Sequence, residues 1–407
     1  MNIHCIEDIL ESLISVKYKI YKKRLYFDWT FNDDIVYHIN LINNNNLTGI
    51  VFSNYHLDDV KLMYTKNNIW MQKHNHEFKG SKFNYSVNWN YIPDKITYLS
   101  LGDDYNQSDK LPKNLKYLIF GFAFDKHIEL PDKLIYLIFG QQFNCKITLP
   151  QSLKYLKFGK FFNQEIILPD SLEHLELGLF FDHSIELPDG LENLVFEENI
   201  KQLAVPKNIK QLVCSCTGIE NKSQFFQQIG ELKKITKLVI RGLYNQPDNI
   251  ISIPFSLVNL ECYCVNKILF GDNTKLSTIT LGYNNIPDIQ LVSSIRSITL
   301  MGNNKIIDWL PNNLEIIIIL SNFNLPLPID NLPNGIKKII IRNNYYNLPY
   351  YVFNGSLDNL PESVEYIKLP SGYDKKINKF PKNLKKIVCS KEYKYIGDLD
   401  GYEVWRY

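Results

Sequence analysis

The chain has no apolar run long enough to cross a bilayer: stretches such as Ile316 to Leu320 fall far below the ~18 residues that a spanning helix needs. Charge of either sign is not in excess, since 45 Lys and Arg stand against 43 Asp and Glu in 407 residues, interspersed, for a net +2. This balance indicates neither a nucleic-acid partner nor an anionic membrane. A secretory signal is not expected, because Glu7, Asp8 and Glu11 interrupt the only candidate apolar stretch near the start. Cysteines are few, seven in all and odd in number, which argues for a reducing compartment and a cytoplasmic location instead of a disulfide framework. Also missing is any Ser-His-Asp, Walker-type or paired-carboxylate arrangement, so no enzyme activity, cofactor or metal is expected. His74 and His76 sit in an irregular polar stretch that reads as a solvated loop.

What the chain does have is a ruler. Pro93, Pro112, Pro131, Pro150, Pro169 and Pro188 lie 19 residues apart, and Pro206 follows after 18. Self-similarity at such a period is the mark of a solenoid. Each copy repeats its apolar positions: after Pro131 come Leu134, Leu137, Phe139, Gly140, Phe143, Asn144, Ile147 and Leu149, and after Pro150 come Leu153, Leu156, Phe158, Gly159, Phe162, Asn163, Ile166 and Leu168. The apolar triplet three, six and eight places after the ruler persists where the proline is gone, as in Leu276, Ile279 and Leu281, or Ile295, Ile298 and Leu300.

Alternation around Leu118 and Phe120 has the period of a strand, and the proline precedes it, where a missing N–H breaks no ladder bond. The glycine that follows is expected to serve the turn. The rest of each unit is too short for an α-helix with two connections, so the return limb is expected to be extended or a short 3₁₀ turn. The fold class is therefore a repeat solenoid, with a parallel β-sheet on one face and little α-helix.

These units resemble the leucine-rich repeat and, within that class, the FNIP repeat found in multiple copies in amoebal and giant-virus proteins. The resemblance rests on the Leu-Pro start (Leu130-Pro131, Leu149-Pro150), the strand Leu134, Leu137, Phe139, Gly140, and the segment Phe143, Asn144, Ile147. It implies a protein-interaction scaffold, in the host cytoplasm if the chain is viral. Family members often carry an N-terminal F-box that recruits Skp1 and a cullin ubiquitin ligase. Here residues 1–20 read as a cap helix over the open edge of the array or as a degenerate F-box remnant.

The expected organisation is divergent repeats with an irregular insertion over 21–92, regular repeats over 93–216, and a helical insertion over 217–231. Further repeats then cover 232–390, interrupted at 343–360, and residues 391–407 form a C-terminal cap. The two interruptions, one carrying Phe225 and Phe226 and the other Tyr345, Tyr346, Tyr350 and Tyr351, read as binding loops or as tolerated drift.

Three sets of side chains are candidates for chemistry. Cys214 with Cys216 and Cys262 with Cys264 occupy equivalent slots two rungs apart, roughly 10 Å, too far to share one metal, and read as core thiols. Asn106, Asp125, Asn144, Asn163 and Asp182 recur at one slot and are assigned to bonding backbone at a turn. The outward strand slots hold Tyr98, Tyr117, Tyr136, Tyr155 and His174 in one column, and Ile119, Ile138, Lys157 and Glu176 in the next. This stripe is either a docking site for a protein partner or a stack of rings that pack on one another.

Overall fold

The computed structural model describes residues 18–28, 30–52, 81–197, 203–215, 217, 219, 221–242, 250–263, 267–271, 274–282, 291–301, 310–321, 332–343, 353 and 355–407. Two compact units divide the chain, Met1–Pro206 and Lys207–Tyr407. Among the described residues, the first contains strands β1 (Tyr18–Tyr21), β2 (Arg24–Phe27), β3 (Gly49–Phe52), β4 (Tyr98–Ser100), β5 (Tyr117–Ile119), β6 (Tyr136–Ile138), β7 (Tyr155–Lys157), β8 (His174–Glu176) and β9 (Asn193–Phe196), with one short α-helix, α1 (Ile39–Asn44), and short 3₁₀ turns at Ile35–His38 and Trp89–Tyr91. From β2 to β9 each strand pairs in parallel with the next, and Leu99, Leu118, Leu137, Leu156, Leu175 and Leu194 fall side by side. All six are fully buried, so their neighbours in each strand face outward.

The second unit holds β10 (Gln211–Ser215), α2 (Lys222–Gly230), β11 (Lys237–Arg241), β12 (Ile250–Ile253), β13 (Asn259–Cys262), β14 (Lys267–Phe270), β15 (Thr278–Leu281), β16 (Ser297–Met301), β17 (Ile316–Ser321), β18 (Lys338–Asn343), β19 (Tyr366–Lys368), β20 (Lys386–Cys389) and β21 (Glu403–Arg406). Its main sheet is again parallel, while β12 and β14 pair with each other in a separate sheet on the return limbs. Each unit is thus a parallel repeat solenoid, as the period predicts, of the leucine-rich-repeat-like kind that the resemblance implies.

The ruler proline opens a turn. Its carbonyl accepts a hydrogen bond from the apolar residue three places on, at 3.3 Å in Pro112–Leu115 and 3.1 Å in Pro131–Leu134. Ile295 closes the same turn on Val292 at 3.2 Å, so the turn persists without proline.

Two columns of rings fill the interior of the first unit. Phe124, Phe143, Phe162 and Phe181 stack at 5.8, 5.9 and 6.1 Å between centroids. Phe120, Phe139 and Phe158 form a second column at 5.3 and 5.5 Å, and each lies against its own rung's partner at 3.7–3.9 Å. Phe83 and Tyr105 extend the first column upstream, so the aromatic residues Phe83 and Trp89 of the irregular N-terminal stretch belong to the core.

The recurrent Asn and Asp side chains tie the return limbs together. Asn106 Oδ1 accepts the backbone N–H of Asp125, Asp125 Oδ1 that of Asn144, Asn144 Oδ1 that of Asn163, and Asn163 Oδ1 that of Asp182, at 2.8–3.2 Å. Asn32 and Asn84 carry the same ladder upstream, and Asp358 accepts from Asn378 in the second unit. The return limbs have no sheet ladder between β4 and β9, so this side-chain column supplies bonds that their backbone would otherwise lack. Asn144→Ala should cost about 1 kcal/mol in urea unfolding, while Asn144→Asp, which keeps the acceptor as Asp125 does, should cost a few tenths at most.

Three details emerge only from the structure. The glycines at the ends of the strands do open the turn, since Gly102, Gly159 and Gly178 accept from the residue three places on at 3.2–3.4 Å, but none of Gly102, Gly121, Gly140, Gly159 and Gly178 is in the left-handed region. They are required because Gly121, Gly140, Gly159 and Gly178 each lie against the carbonyl of the glycine one rung before, and Gly102 against the Ser81 side chain, where a Cβ would overlap. The expected cap helix does not include residues 18–20: these belong to β1, which pairs antiparallel with β2 through Lys22 and Lys23 at φ 47° and 60°, and residues 1–17 lie outside the described residues. Finally, residues 391–407, the expected C-terminal cap, include β21, which pairs in parallel beside β20.

Candidate interaction face

Strands β4 to β8 are only three residues long, and each buries its middle leucine. The two flanking side chains must therefore project from the other side. All nine of the stripe residues, Tyr98, Tyr117, Ile119, Tyr136, Ile138, Tyr155, Lys157, His174 and Glu176, lie on this outward face, and none is buried.

Parallel in-register pairing places Tyr98, Tyr117, Tyr136, Tyr155 and His174 in one column. Spacing within the column is uneven. Tyr136 and Tyr155 stack face to face at 4.2 Å, as do Tyr155 and His174, with interplanar angles of 17° and 11°. The other end is looser: Tyr98 to Tyr117 is 6.0 Å at 34°, and Tyr117 to Tyr136 is 5.9 Å at 43°. Tyr117 is 39 % exposed, the most open ring of the column.

Charge explains the tight end. Glu176 accepts from the Tyr155 hydroxyl at 3.0 Å, lies 3.1 Å from His174 Nε2 and pairs with Lys157 at 2.6 Å. Burial would raise the Glu176 carboxyl, but the hydrogen bonds from His174, Lys157 and Tyr155, with the Lys157 charge, outweigh it and hold the group down to about 2. Burial also lifts the Tyr155 phenol, and the Glu176 charge lifts it further. The β7–β8 end is thus a closed polar network built within the protein.

At the β4 end the column continues into two residues that strand-by-strand reading missed. Gly49 occupies the slot beside Tyr98, and Arg24 the slot before it. Without a side chain at 49, the Arg24 guanidinium reaches across and lies 3.6 Å from the Tyr98 ring centroid. A Cβ at Gly49 would stand 2.9 Å from Arg24 Cγ and 3.0 Å from Tyr98 Cβ. The signal was an interrupted repeat, visible only once β2 and β3 are known to be adjacent rungs.

The other candidates are placed as follows. Cys214 and Cys262 are buried, while Cys216, Cys264, His74 and His76 lie outside the described residues. Among the described residues no group of three or more His, Cys, Asp or Glu side chains is arranged to hold a metal ion. Helix α2 falls in the 217–231 interruption, begins on an Asn221 side chain that accepts from Gln224 N at 3.1 Å, and buries Phe225, Phe226 and Ile229. Its apolar side is core, so it does not offer those phenylalanines to a partner. Tyr345, Tyr346, Tyr350 and Tyr351 lie outside the described residues. No described helix is long and apolar enough to cross a membrane.

The FNIP Repeat family model matches residues 83–123, 105–142, 124–161, 143–180 and 303–344. No curated protein matches the chain. Among solved structures, it is similar to CroV588, described as a novel circular LRR protein, at 22 % identity over 93 % of this chain and 71 % of that one, with a TM-score of 0.47. It is also similar to YopM from Yersinia enterocolitica, at 15 % identity over 87 % of this chain and 85 % of that one, with a TM-score of 0.40. The four matched segments within residues 83–180 coincide with the rungs whose proline turn, phenylalanine column and asparagine ladder are described above, and the segment 303–344 takes in the turns at Pro311 and Pro333 and strands β17 and β18; these segments are FNIP repeats folded as rungs of a parallel, leucine-rich-repeat-like β-solenoid.

Proposed function

We propose that the chain is a non-enzymatic protein-interaction scaffold that docks a protein partner on the outward face of β4 to β6. The observation that carries this reading is the unevenness of the tyrosine column. Tyr136, Tyr155 and His174 satisfy one another by close stacking, whereas Tyr98 and Tyr117 tilt apart beside Ile119 and leave Tyr117 open. A tilted, half-exposed tyrosine beside an aliphatic side chain offers area with a polar tip, the composition enriched at binding hot spots. Arg24 extends the stripe with a cation held over a ring.

The double substitution Tyr117→Ala with Ile119→Ala tests it. Both side chains face outward, so the thermal transition should stay within about 2 °C of the parent. Affinity capture on the parent protein followed by mass spectrometry should then recover a partner that the double variant loses. Capture of the same proteins by both would refute the reading, and an unfolded variant would assign these side chains to the fold instead.

A further inference from the structure

The outward face of the last four rungs of the second unit differs in kind from the tyrosine stripe. On β18 the outward side chains are Lys338, Ile340 and Arg342, because Ile339 and Ile341 are fully buried. Register then places Tyr366 and Lys368 of β19 beside Lys338 and Ile340, Lys386 and Val388 of β20 next, and Glu403 and Trp405 of β21 last. Tyr407 follows on the same alternation.

Four cations and three rings therefore share this face with one carboxylate. Glu403 is engaged from within, by Lys386 at 2.9 Å and by the Trp405 indole N–H at 2.6 Å. The adjacent row adds no charge, since Lys337 pairs with Glu315 at 3.4 Å and Lys385 with Glu365 at 2.7 Å. The overall charge of the chain, close to neutral, conceals a local excess of positive charge.

The lysines are not loose. Lys338 Nζ lies 4.7 Å from the Tyr366 centroid, Lys368 Nζ 4.9 Å from Tyr407, and Lys386 Nζ 3.4 Å from Trp405. A lysine held over a ring has already lost part of the freedom that an anionic ligand would otherwise have to quench, so binding to it is favoured. Beside these cations Trp405 stays 59 % exposed and Tyr407 45 %, an apolar border for a side chain next to the anion.

We infer that this face is a second docking site, for an acidic peptide segment of a protein partner in which carboxylates alternate with apolar side chains. Single-stranded nucleic acid fits less well. Base stacking needs an open ring face, and here each of the three rings already carries a lysine, while the Tyr407 hydroxyl is tied to the Leu369 carbonyl at 2.8 Å. Carboxylates need only the cations.

Fluorescence anisotropy on the full chain tests the assignment with three labelled probes: a twelve-residue peptide of repeated Glu-Glu-Leu, its Lys-Lys-Leu counterpart, and a twelve-nucleotide oligothymidylate. The Glu peptide should bind, weaken as salt is raised, and outcompete the other two. Lys338→Glu with Lys368→Glu should weaken it about tenfold or more. The milder pair Lys338→Gln with Lys368→Gln should weaken it in the same direction, which guards against misfolding of the charge-reversed chain. Tyr117→Ala with Ile119→Ala should leave it unchanged, since that stripe belongs to the other unit. Equal binding by the parent and both lysine variants would overturn the inference, as would no binding of the Glu peptide at low salt. Tighter binding of the oligothymidylate would overturn it in favour of nucleic acid.

Discussion

Gly140→Ala should be among the most damaging single changes in the molecule, costing about 3 kcal/mol or more in denaturant unfolding and lowering the thermal midpoint accordingly. The methyl group would overlap the carbonyl oxygen and carbon of Gly121. Neither atom belongs to a flexible side chain, so relief requires two rungs to separate. That separation would strain the β5–β6 ladder and the ring stacking beneath it. Gly190→Ala is the matched control: its Cβ would meet only the Asp170 carbonyl, at 3.5 Å, an ordinary contact. Its stability should change by less than about 0.5 kcal/mol, or rise slightly as the unfolded chain loses freedom. Equal effects at the two positions would show that backbone conformation, and not the approach of successive rungs, selects glycine at 140.

Phe143→Ala should cost about 3–5 kcal/mol, the range for removing a buried aromatic ring. Phe143 is fully buried and touches rings on three sides: Phe139 of its own rung at 3.8 Å, Phe124 at 5.8 Å and Phe162 at 5.9 Å. Its neighbours are held by their own turns and strands and cannot collapse into the space. Phe143→Leu should recover more than half of the loss by refilling the volume, although not the stacking. Urea unfolding of both variants measures this directly. A loss below about 1 kcal/mol for the alanine variant would mean that the column tolerates a gap and that stability resides in the sheet. Because repeat arrays couple mainly through nearest neighbours, the damage should be greatest in the rungs of Phe124 and Phe162, which hydrogen exchange would resolve.

Much of the fold was legible in the residues because its main features lie within one rung. A proline turn three residues before a buried leucine, then a strand of period two, depends only on local spacing, and the triplet at three, six and eight places locates the core even where Pro is replaced, as by Val292. The division of Leu137 from Tyr136 and Ile138 followed from the same alternation. The role of Asn144 was also readable, since a polar residue recurring at one slot of a stacked array has its counterpart one rung away.

The candidate site was legible as a column of residues but not as a geometry. Identical tyrosines in identical slots do not reveal that Tyr155 packs at 4.2 Å while Tyr117 stands apart at about 6 Å. That difference arises because Glu176 draws Tyr155, His174 and Lys157 together at one end only. Arg24 was hidden for a related reason: it reaches Tyr98 only because the intervening rung offers Gly49.

By itself, then, the sequence determined the rung: its turn, its strand, its buried leucine and phenylalanines, and the side of the sheet on which each residue stands. Those outcomes depend on the chemistry of neighbours along the chain. Only the tertiary structure decided what happens between rungs, where glycine is demanded by a carbonyl one repeat away, where rings close into a stack or tilt open, and where Lys338, Lys368 and Lys386 settle over aromatic rings. The physical reason is distance. Residues 17 or more positions apart in the chain stand about 5 Å apart across the parallel sheet, and their contacts exist only once the rungs are stacked.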